Sequence, residues 1–513
     1  MRKINQLKAG AALSYVSMGL GYIISIAYTP IMLRLLGQSE YGLYNLVASV
    51  VAYLGILNFG FGSAYIRYYL RYKANNDREN IAKLNGMFLI IFSVIGFIAV
   101  LAGMVLVFNT NAIFGMELTS SELITAKKLM AIMVINIALS FPNIVFNSYI
   151  TANEKFIFQK VLRMIRVVVN PFLVLPLLFL GYGSIGMVVV TTILNLSIEI
   201  ANAIFCFKRL NMKFYFREFD FSLMREMTVF SSFTFLYIIM DQVLWNVDKF
   251  ILGRLWGTTT VAVYALAAQL SIYYISLSTA ISSVFVPRVN NIVFSSDDTN
   301  SNKVLTDLLI RVGRLQFILL SLIMLGLIFF GQSFIVIWAG ENYRDSYPIA
   351  LLLIIPVTLP LIQNMGIAIQ RAKNMQKFLA LVNVFIALLN VLISIPLAKM
   401  YGGVGSALGT ALAMIIGNII IANWYYHYKI GLNMKQFWKE IMRLVPALVP
   451  SVMLGIVLFF LVDLYNIKHF ILSGFIFVIV YCYAMWRFGM NKSEKDLIIK
   501  PIERIQLKIK GEQ

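Results

Sequence analysis

Residues 240–257 read MDQVLWNVDKFILGRLWG and place Asp241, Asp248 and Lys249 inside an otherwise apolar segment. A charge at the centre of a bilayer costs at least about 2.5–3.5 kcal/mol, so each of these side chains is expected to face protein or water. Asp241 is the acid that we place nearest the middle of the membrane. Asp241, Trp245 and Asp248 are spaced i, i+4 and i+7, so they share one helix face.

The composition around this stretch requires a membrane. Of the 513 residues, 60% are hydrophobic and 13% are charged, and the mean hydropathy is +0.81. A chain with this much apolar surface cannot bury it in one water-soluble core. The formal charge of +20 lies mostly between apolar segments, which indicates membrane topology and not nucleic-acid binding. The two cysteines, Cys206 and Cys482, and the two histidines, His427 and His469, are far apart and indicate neither a disulfide framework nor a zinc site.

Apolar runs of about 20 residues recur along the whole chain, and each is long enough to span a bilayer. We predict an all-α integral membrane protein with about fourteen transmembrane helices. The first, near residues 9–34, is longer than a signal-peptide core and is expected to be retained. The predicted helix centres lie near residues 22, 54, 97, 139, 170, 195, 240, 273, 324, 359, 388, 416, 452 and 479.

The basic residues predict the orientation. With a cytoplasmic N-terminus, the inner loops and helix ends hold 35 of the 43 Lys and Arg residues, and the outer ones hold the other eight. Such an excess of positive charge marks the cytoplasmic side of a membrane protein. Both termini are therefore predicted to be cytoplasmic.

The chain also repeats itself, and the opening stretch lies in the first helix of the second copy. One near-constant offset links three separated places, which indicates an internal duplication with six helices in each copy. Because six is even, both copies enter the membrane from the same side and are related by a pseudo-two-fold axis along the membrane normal. The matches are 34–37 with 254–257, and 170 and 176 with 390 and 396, at a shift of 220, and 182–186 with 401–405 at a shift of 219.

The predicted domains follow from this repeat. Helices 13 and 14 have no counterpart in it, so they are an addition to a protein of two bundles. The domains are an N-terminal six-helix bundle (1–207), a basic and aromatic cytoplasmic linker (208–227), a C-terminal six-helix bundle (228–428), helices 13 and 14 (429–490) and a basic cytoplasmic tail (491–513).

The acids of the opening stretch have two interpretations. Asp241 is either a cavity-facing acid or one half of a buried ion pair that locks two helices. As a cavity-facing acid it binds a cation or a proton, or pairs with a basic residue that also touches substrate. For Asp248 and Lys249, which lie nearer the predicted outer end, the alternatives are a substrate cavity and an interfacial salt bridge.

Polar stripes on three other helices also have two interpretations. They either line water, where they suit sugar hydroxyls, or hydrogen-bond one helix to another. Glu199 lies in the predicted cytoplasmic half of its helix and either lines a cavity or extends to the interface. The stripes are Asn195, Glu199 and Asn202 on helix 6, Asn136, Ser140, Asn143 and Asn147 on helix 4, and Gln363, Asn364 and Gln370 on helix 10.

Arginines near the predicted inner helix ends have the right chemistry for phosphate, because a guanidinium fork matches two phosphate oxygens. Arginines at this position are also common topology signals. On the outer side, Arg34 and Arg254 occupy equivalent positions of the two copies and are candidates for an outer gate. The inner arginines are Arg67, Arg163, Arg166, Arg311 and Arg314.

Several segments carry a family resemblance. They are 33–44 (LRLLGQSEYGLY), 58–68 (NFGFGSAYIRY), 247–253 (VDKFILG) and 264–267 (YALA). In these segments the chain resembles the polysaccharide transporter branch of the multidrug/oligosaccharidyl-lipid/polysaccharide exporter superfamily. The resemblance covers all fourteen helices, but these are scaffold motifs and do not identify the glycan.

The resemblance implies a flippase of the bacterial inner membrane. Such a protein moves undecaprenyl-pyrophosphate-linked oligosaccharide from the cytoplasmic to the outer leaflet, for surface polysaccharides such as O-antigen. In related flippases a cationic central cavity takes the headgroup, and helices 13 and 14 help to form a groove for the lipid tail. The implied mechanism is alternating access by rocking of 1–207 against 228–428, with H⁺ or Na⁺ coupling at Asp241 as a hypothesis and no cofactor. The expected partners are the lipid-linked glycan, the bilayer, and a polysaccharide polymerase or glycosyltransferases.

Other functions remain open. A peptidoglycan-precursor flippase and a multidrug exporter belong to the same superfamily, and a membrane glycosyltransferase or polymerase represents a different class. The enzyme alternative is disfavoured because the sequence has no paired carboxylates on one outer loop, no His-Glu cluster and no phosphate-cradling glycine loop.

Overall fold

The structure, a computed structural model, describes residues 6–115, 117–216, 220–295, 298–497 and 499–500. Within these ranges the chain forms helices and no β-strand. Each long helix follows its predecessor after a short connection. The spanning helices are α1 (Gln6–Leu36), α2 (Gln38–Ala74), α3 (Arg78–Phe108), α4 (Ser120–Ala152), α5 (Phe156–Phe179), α6 (Gly183–Leu210), α7 (221–256), α8 (258–295), α9 (Asp298–Ala339), α10 (Ser346–Ile362 and Asn364–Ala372, bent by 44°), α11 (376–401), α12 (403–430), α13 (Met434–Leu461) and α14 (Ile467–Gly489).

The predicted all-α membrane fold is confirmed, and each predicted helix centre falls inside one of these helices. Among the described residues, eleven helical stretches are long and apolar enough to cross a membrane, or twelve with the bent α10. Two of the eleven, Thr234–Val293 and Ala380–Ile430, continue through a glycine with non-helical backbone angles. Each of these two stretches holds a pair of spans. Together with the bent α10, the count of spans is therefore fourteen.

The backbone repeats at the offset seen in the sequence. Four pairs of residues with positive φ are related by the shift of 220, or by 219 in one case, and in each pair the two φ values have the same sign. Residues with a Cβ atom disfavour this region, so these are points where the chain turns sharply. The pairs are Gly37 and Gly257, Glu154 and Asn374, Gly183 and Gly402, and Asn211 and Gly431.

By its internal contacts the chain divides into two compact units. Unit 1 comprises Met1–Ala265 and Asn383–Gly409, and unit 2 comprises Leu266–Val382 and Thr410–Gln513. This division differs from the predicted bundles, since it groups α7 and parts of α8, α11 and α12 with the first six helices. The bundle boundaries derived from the repeat therefore stay a prediction.

The core of unit 1 is rich in aromatic side chains at the predicted cytoplasmic end. Tyr65 and Phe88 are both buried and meet edge to face, with ring centroids 5.0 Å apart. Small residues let α3 and α4 approach closely: a Cβ added to Gly96 would lie 2.7 Å from the carbonyl oxygen of Ala138. Such close backbone approach is typical of helix pairs in membranes.

The connections between domains are shorter than the sequence predicts. α6 continues to Leu210 and α7 begins at Phe221, so much of the predicted linker 208–227 is helical. Its residues 217–219 lie outside the described part of the chain. The predicted tail begins with a further helical turn at 492–497, and residues 501–513 are outside the description.

Candidate functional site

Asp248 lies at the centre of a buried polar network in unit 1. Only 1% of its surface is exposed. Its Oδ2 accepts a hydrogen bond from the Tyr264 hydroxyl at 2.8 Å, and its Oδ1 accepts one from the Ser406 hydroxyl at 2.7 Å. Tyr264 and Ser406 are buried as well, so this carboxylate joins α7 to α8 and α12. In this structure the Asp248 carboxylate is therefore held by buried protein hydroxyls inside the unit.

Asp241, predicted as the central acid, lies two helical turns away on α7. It is half-buried, and the side chain of Trp245, one turn further on, is its hydrogen-bond partner. Lys249 is also half-buried and lies within electrostatic range of Asp248. The role of Asp241 in ion coupling stays a prediction.

The polar stripes of α4 and α6 face each other. The Asn202 amide donates to Oδ1 of Asn143 at 3.2 Å, and Asn195 donates to Asn136 at the same distance. Asn136 in turn donates to the Thr192 hydroxyl at 2.9 Å. These contacts hydrogen-bond one helix to the other, which is the second of the two interpretations given for the stripes.

The second copy has an equivalent amide pair in unit 2. Gln363 is buried and exchanges hydrogen bonds with Asn423, at 3.3 and 3.4 Å. Asn143 and Gln363 correspond at the shift of 220, whereas Asn202 and Asn423 correspond at 221. The π-helical turns at 415–421 lie just before Asn423 in the sequence. The duplication thus extends to side-chain contacts between helices.

Two of the remaining amides of the prediction, Asn147 and Asn364, bond within their own units. Asn147 accepts from the Gln159 amide at both its carbonyl oxygen, 3.0 Å, and its side-chain oxygen, 2.5 Å. Asn364 donates to the Ser278 hydroxyl at 3.3 Å. Asn147 remains exposed and Asn364 half-buried.

Arg163, Arg166 and Glu199 form a charged cluster in unit 1. Both arginines are exposed on α5, and Glu199 is half-buried on α6. Arg166 lies within electrostatic range of Arg163, of Glu199 and of the Tyr44 phenol on α2. The cluster therefore holds two cations against one carboxylate, which suits an anion with two or more charges.

The charges of this cluster lie farther from the ends of their helices than the sequence predicts. α5 begins at Phe156, so Arg166 is ten residues, or about 15 Å, along a helix of about 36 Å. α6 extends to Leu210, which places Glu199 eleven residues, or about 16 Å, from the same end. Both helices extend past their apolar segments into basic or polar turns, so Arg166 and Glu199 lie well inside their helices and not at the helix ends.

Three of the remaining predicted arginines lie within about two turns of a helix end. Arg67 is exposed on α2 near the basic end of the unit. Arg34 and Arg254 are both exposed, each three residues before a glycine with φ of 75° or 77°. The two arginines therefore occupy equivalent positions before the same kind of backbone turn. Their gating role stays a prediction.

Arg314 was a candidate for phosphate binding, and the structure shows a different role in unit 2. Its Nε lies 2.6 Å and its Nη2 3.0 Å from the two carboxylate oxygens of Glu494, which is 2% exposed. Its other donors reach the backbone carbonyls of Glu440 and Gly489, at 2.8 and 2.9 Å. With its fork occupied by protein oxygens, Arg314 ties α9 to the residues after α14, and the phosphate interpretation is wrong for it.

Sequence reasoning missed Glu122, which lies at the predicted outer end of unit 1. Its Oε1 accepts hydrogen bonds from the hydroxyls of Ser39, at 2.6 Å, and Thr258, at 2.8 Å. Ser39 and Thr258 open α2 and α8, the equivalent helices of the two copies, and their hydroxyls are 3.1 Å apart. Two sequence signals relate to this contact. The capping-box pair Thr119 and Glu122 marks the start of α4, and the repeat makes α2 and α8 equivalent helices of the two copies.

Comparisons with known proteins agree with this fold. A family model described as "Polysaccharide biosynthesis protein" matches residues 7–293, more than half of the chain. A Shigella flexneri protein named "Putative O-antigen transporter" is 25% identical over 427 residues, which cover 79% of this chain and 94% of that relative. A Bacillus subtilis (strain 168) protein named "Uncharacterized membrane protein EpsK" is 21% identical over 488 residues, covering 94% and 95%.

Two solved structures share the fold at low sequence identity. The lipid II flippase MurJ, in an inward closed conformation, has a TM-score of 0.74 and 18% identity, over 95% of this chain and 99% of that one. An inward-facing multidrug-resistance transporter of the MATE family has a TM-score of 0.66 and 13% identity, over 84% and 99%. At these identities the likeness concerns the fold alone.

The family match, the two relatives and the fold therefore agree with one another. They also agree with the all-helical membrane fold described above. The chain belongs to the polysaccharide biosynthesis protein family, whose model matches more than half of it.

Proposed function

We propose that this protein is a flippase that exports undecaprenyl-pyrophosphate-linked oligosaccharide from the cytoplasmic to the outer leaflet of the bacterial inner membrane. The glycan headgroup occupies a hydrated cleft, and the polyprenyl chain stays in lipid. The product feeds the synthesis of a surface polysaccharide. Both termini are cytoplasmic in this proposal, as the distribution of basic residues predicts.

The observation that carries the proposal is the pair of exposed arginines, Arg163 and Arg166, near the middle of α5. An exposed guanidinium at that depth is costly in lipid, so we infer that it faces a water-filled space. Two guanidinium forks match the oxygens of a pyrophosphate. Glu199 balances part of the positive charge when no substrate is bound.

An apolar cavity in unit 2 supports the lipid-tail part of the proposal. It has a volume of about 280 Å³ and is lined by side chains of α8, α9, α10 and α14. Phe330 and Phe470 form part of its wall, and their rings meet at 6.0 Å. Such a cavity offers a polyprenyl chain apolar contacts without polar groups that need hydration.

The membrane potential is able to drive this export. With the inside negative, each negative charge carried outward gains about 2.3 kcal/mol per 100 mV. A pyrophosphate with about two charges therefore moves outward downhill, whereas a neutralised headgroup does not. Coupling to H⁺ or Na⁺ at Asp241 adds to this force in the proposal.

The test is the double variant Arg163→Gln/Arg166→Gln in a strain that lacks the chromosomal gene. We expect surface glycan to fall by at least about tenfold, since two charge-assisted contacts to the headgroup are lost, while its lipid-linked precursor accumulates inside. Arg71→Gln is the control, because Arg71 is an exposed arginine at the end of α2. Export at the wild-type level by the double variant, at equal protein abundance, would contradict the proposal.

The same strain separates the alternative functions. A peptidoglycan-precursor flippase would be required for growth where no second flippase is present, and a multidrug exporter would protect cells from cationic dyes. The Shigella flexneri relative and both solved structures named above are described as transporters or flippases. A glycosyltransferase or polymerase would instead turn over a sugar donor or extend a chain in purified form. Protein partners such as a polymerase are expected from the family resemblance and remain part of the proposal.

A further inference from the structure

A polar cavity lies at the basic end of unit 1, and its lining includes none of the residues Arg163, Arg166 and Glu199. Its volume is about 690 Å³, in the range of small-molecule sites. It is bounded by the adjoining ends of α2, α3, α4 and α6 and by the segment that follows α6. Its lining includes three cations and no carboxylate: Lys73, Arg78 and Lys213.

The acids closest in sequence to these cations are already engaged. Asp77 accepts hydrogen bonds from the backbone and the side chain of Asn80, at 3.0 and 2.6 Å, and thereby caps α3. Glu79 forms an ion pair with Lys83 at 2.9 Å. Neither Asp77 nor Glu79 is part of the cavity lining, whose charged side chains are all cations.

Hydrogen bonds within the protein hold the polar lining of the cavity in place. Asn85 is fully buried; its Oδ1 accepts from the Tyr65 hydroxyl at 2.5 Å, and its amide donates to the carbonyl oxygen of Lys213 at 2.8 Å. The segment after α6 is also held by a bond from the Tyr215 backbone N–H to the Ala82 carbonyl, at 3.0 Å. These bonds position the Lys213 backbone on α3 without any ligand.

The second copy of the repeat shows that the scaffold does not require this polarity. At the shift of 220, Tyr69, Asn85 and Tyr149 of the cavity correspond to Val289, Leu305 and Ile369. All three of these apolar residues have 0% exposure and belong to the hydrophobic core of unit 2. One copy thus packs this position with aliphatic side chains, while the other holds a polar cavity with a basic rim.

We propose that this cavity is a binding site for a phosphate-bearing anion, separate from the translocation cluster at Arg163 and Arg166. Lys73, Arg78 and Lys213 would contact the phosphate oxygens through charge-assisted hydrogen bonds. The phosphate comes either from the headgroup of an anionic phospholipid in the adjacent leaflet or from a soluble phosphate compound. Both sources present the same chemistry to the three cations.

The test uses full-length protein that carries Arg163→Gln/Arg166→Gln, so that it does not depend on the proposed transport function. One arm measures pyrophosphate binding by calorimetry in a neutral detergent. The other arm counts phosphatidylglycerol molecules retained in native mass spectrometry after release from nanodiscs. Lys73→Gln/Lys213→Gln is added to remove two cavity cations, and Lys208→Gln/Arg209→Gln is the control, with the same charge change at exposed positions on α6.

We expect the cavity variant, and not the control, to weaken pyrophosphate binding by at least about tenfold or to halve phosphatidylglycerol retention. Loss in the first arm identifies a soluble phosphate compound, and loss in the second identifies a lipid headgroup. The proposal is overturned if neither ligand binds the starting protein, or if cavity variant and control behave alike. Both lysines are exposed, so their replacement leaves the core intact, and equal melting temperatures verify this.

Discussion

Asp241 and Asp248 lie seven residues apart on one face of α7, yet their surroundings differ. Asp248 is buried and accepts hydrogen bonds from two buried hydroxyls, whereas Asp241 is half-buried beside Trp245. A buried and bonded carboxylate fixes helices to each other. A partly accessible one remains able to exchange a cation or a proton, so we predict a stabilising role for Asp248 and keep ion coupling at Asp241 as a hypothesis.

The first prediction concerns the stability of the Asp248 network. Asp248→Ala deprives the Tyr264 and Ser406 hydroxyls of this acceptor, and each such loss in a buried position costs about 1–3 kcal/mol. We expect a clearly lower free energy of unfolding in detergent micelles. Asp241→Ala is the matched change on the same helix and should cost much less. Equal losses in the two variants would refute the structural role of Asp248.

The second prediction concerns ion coupling at Asp241. Asp241→Asn keeps the shape of the side chain but removes its charge, so transport in proteoliposomes should lose its dependence on a proton or sodium gradient. Transport driven by the membrane potential should persist. Asp345→Asn, an exposed position before α10, is the control. An unchanged ion dependence in Asp241→Asn would show that the coupling hypothesis is wrong.

At the level of helices, the outer ends of α2 and α8 are joined through Glu122. The two helices also touch directly, because a Cβ added to Gly42 would collide with the carbonyl oxygen of Thr258. Ser39 and Thr258 both donate to one carboxylate oxygen of Glu122. If the two copies rock against each other during transport, this contact has to open.

The third prediction follows from that contact. Glu122→Gln weakens two charge-assisted hydrogen bonds and should shift the protein toward a state with separated outer ends. Pulsed electron paramagnetic resonance between labels at Asn109 and Asp345 measures the shift as a larger share of long distances. Glu40→Gln is the control, because Glu40 accepts hydrogen bonds from Ser184 of its own copy, at 2.7 and 2.8 Å. If both variants give the wild-type distance distribution, Glu122 is not a latch.

At the level of the whole molecule, the first residues beyond α14 stabilise unit 2. Arg314 and Glu494 form an ion pair at 2.6 Å with side-chain exposures of 5% and 2%. Breaking a buried pair by removing one partner typically costs about 3–5 kcal/mol, because the other charge stays buried. The chain after 490 therefore acts as part of the fold and not only as a basic tail.

The fourth prediction tests this with two truncations. Ending the chain after residue 490 removes Glu494 and should sharply lower the melting temperature in detergent. Ending it after residue 500 keeps the ion pair and should leave the melting temperature unchanged. The same melting temperature for both truncated chains would mean that the pair contributes little.

The two copies share a backbone but differ in charge. At the shift of 220, Arg166 corresponds to Ile386, Glu199 to Ile419 and Asp241 to Gly21. The cationic cluster therefore belongs to the first copy, and the acid of α7 belongs to the second. Two copies with the same backbone but different charged side chains suit a protein that binds an asymmetric substrate.

The sequence by itself determined the fourteen helices, the duplication and the family. These depend on local properties: the length of an apolar run, and a glycine such as Gly37 or Gly257 where the backbone takes a positive φ. Apolar length and backbone freedom act over a few residues, so a sequence pattern records them directly.

Only the tertiary structure decided which polar side chains meet. Asn143 and Asn202 lie 59 residues apart, and Asp248 and Ser406 lie 158 apart, so their contacts depend on how each helix is rotated and packed. It also decided where each charge lies along its helix: Arg166 and Glu199 lie ten and eleven residues from the nearer ends of α5 and α6. Helix rotation and helix ends are fixed by packing against neighbours, and that information is not local.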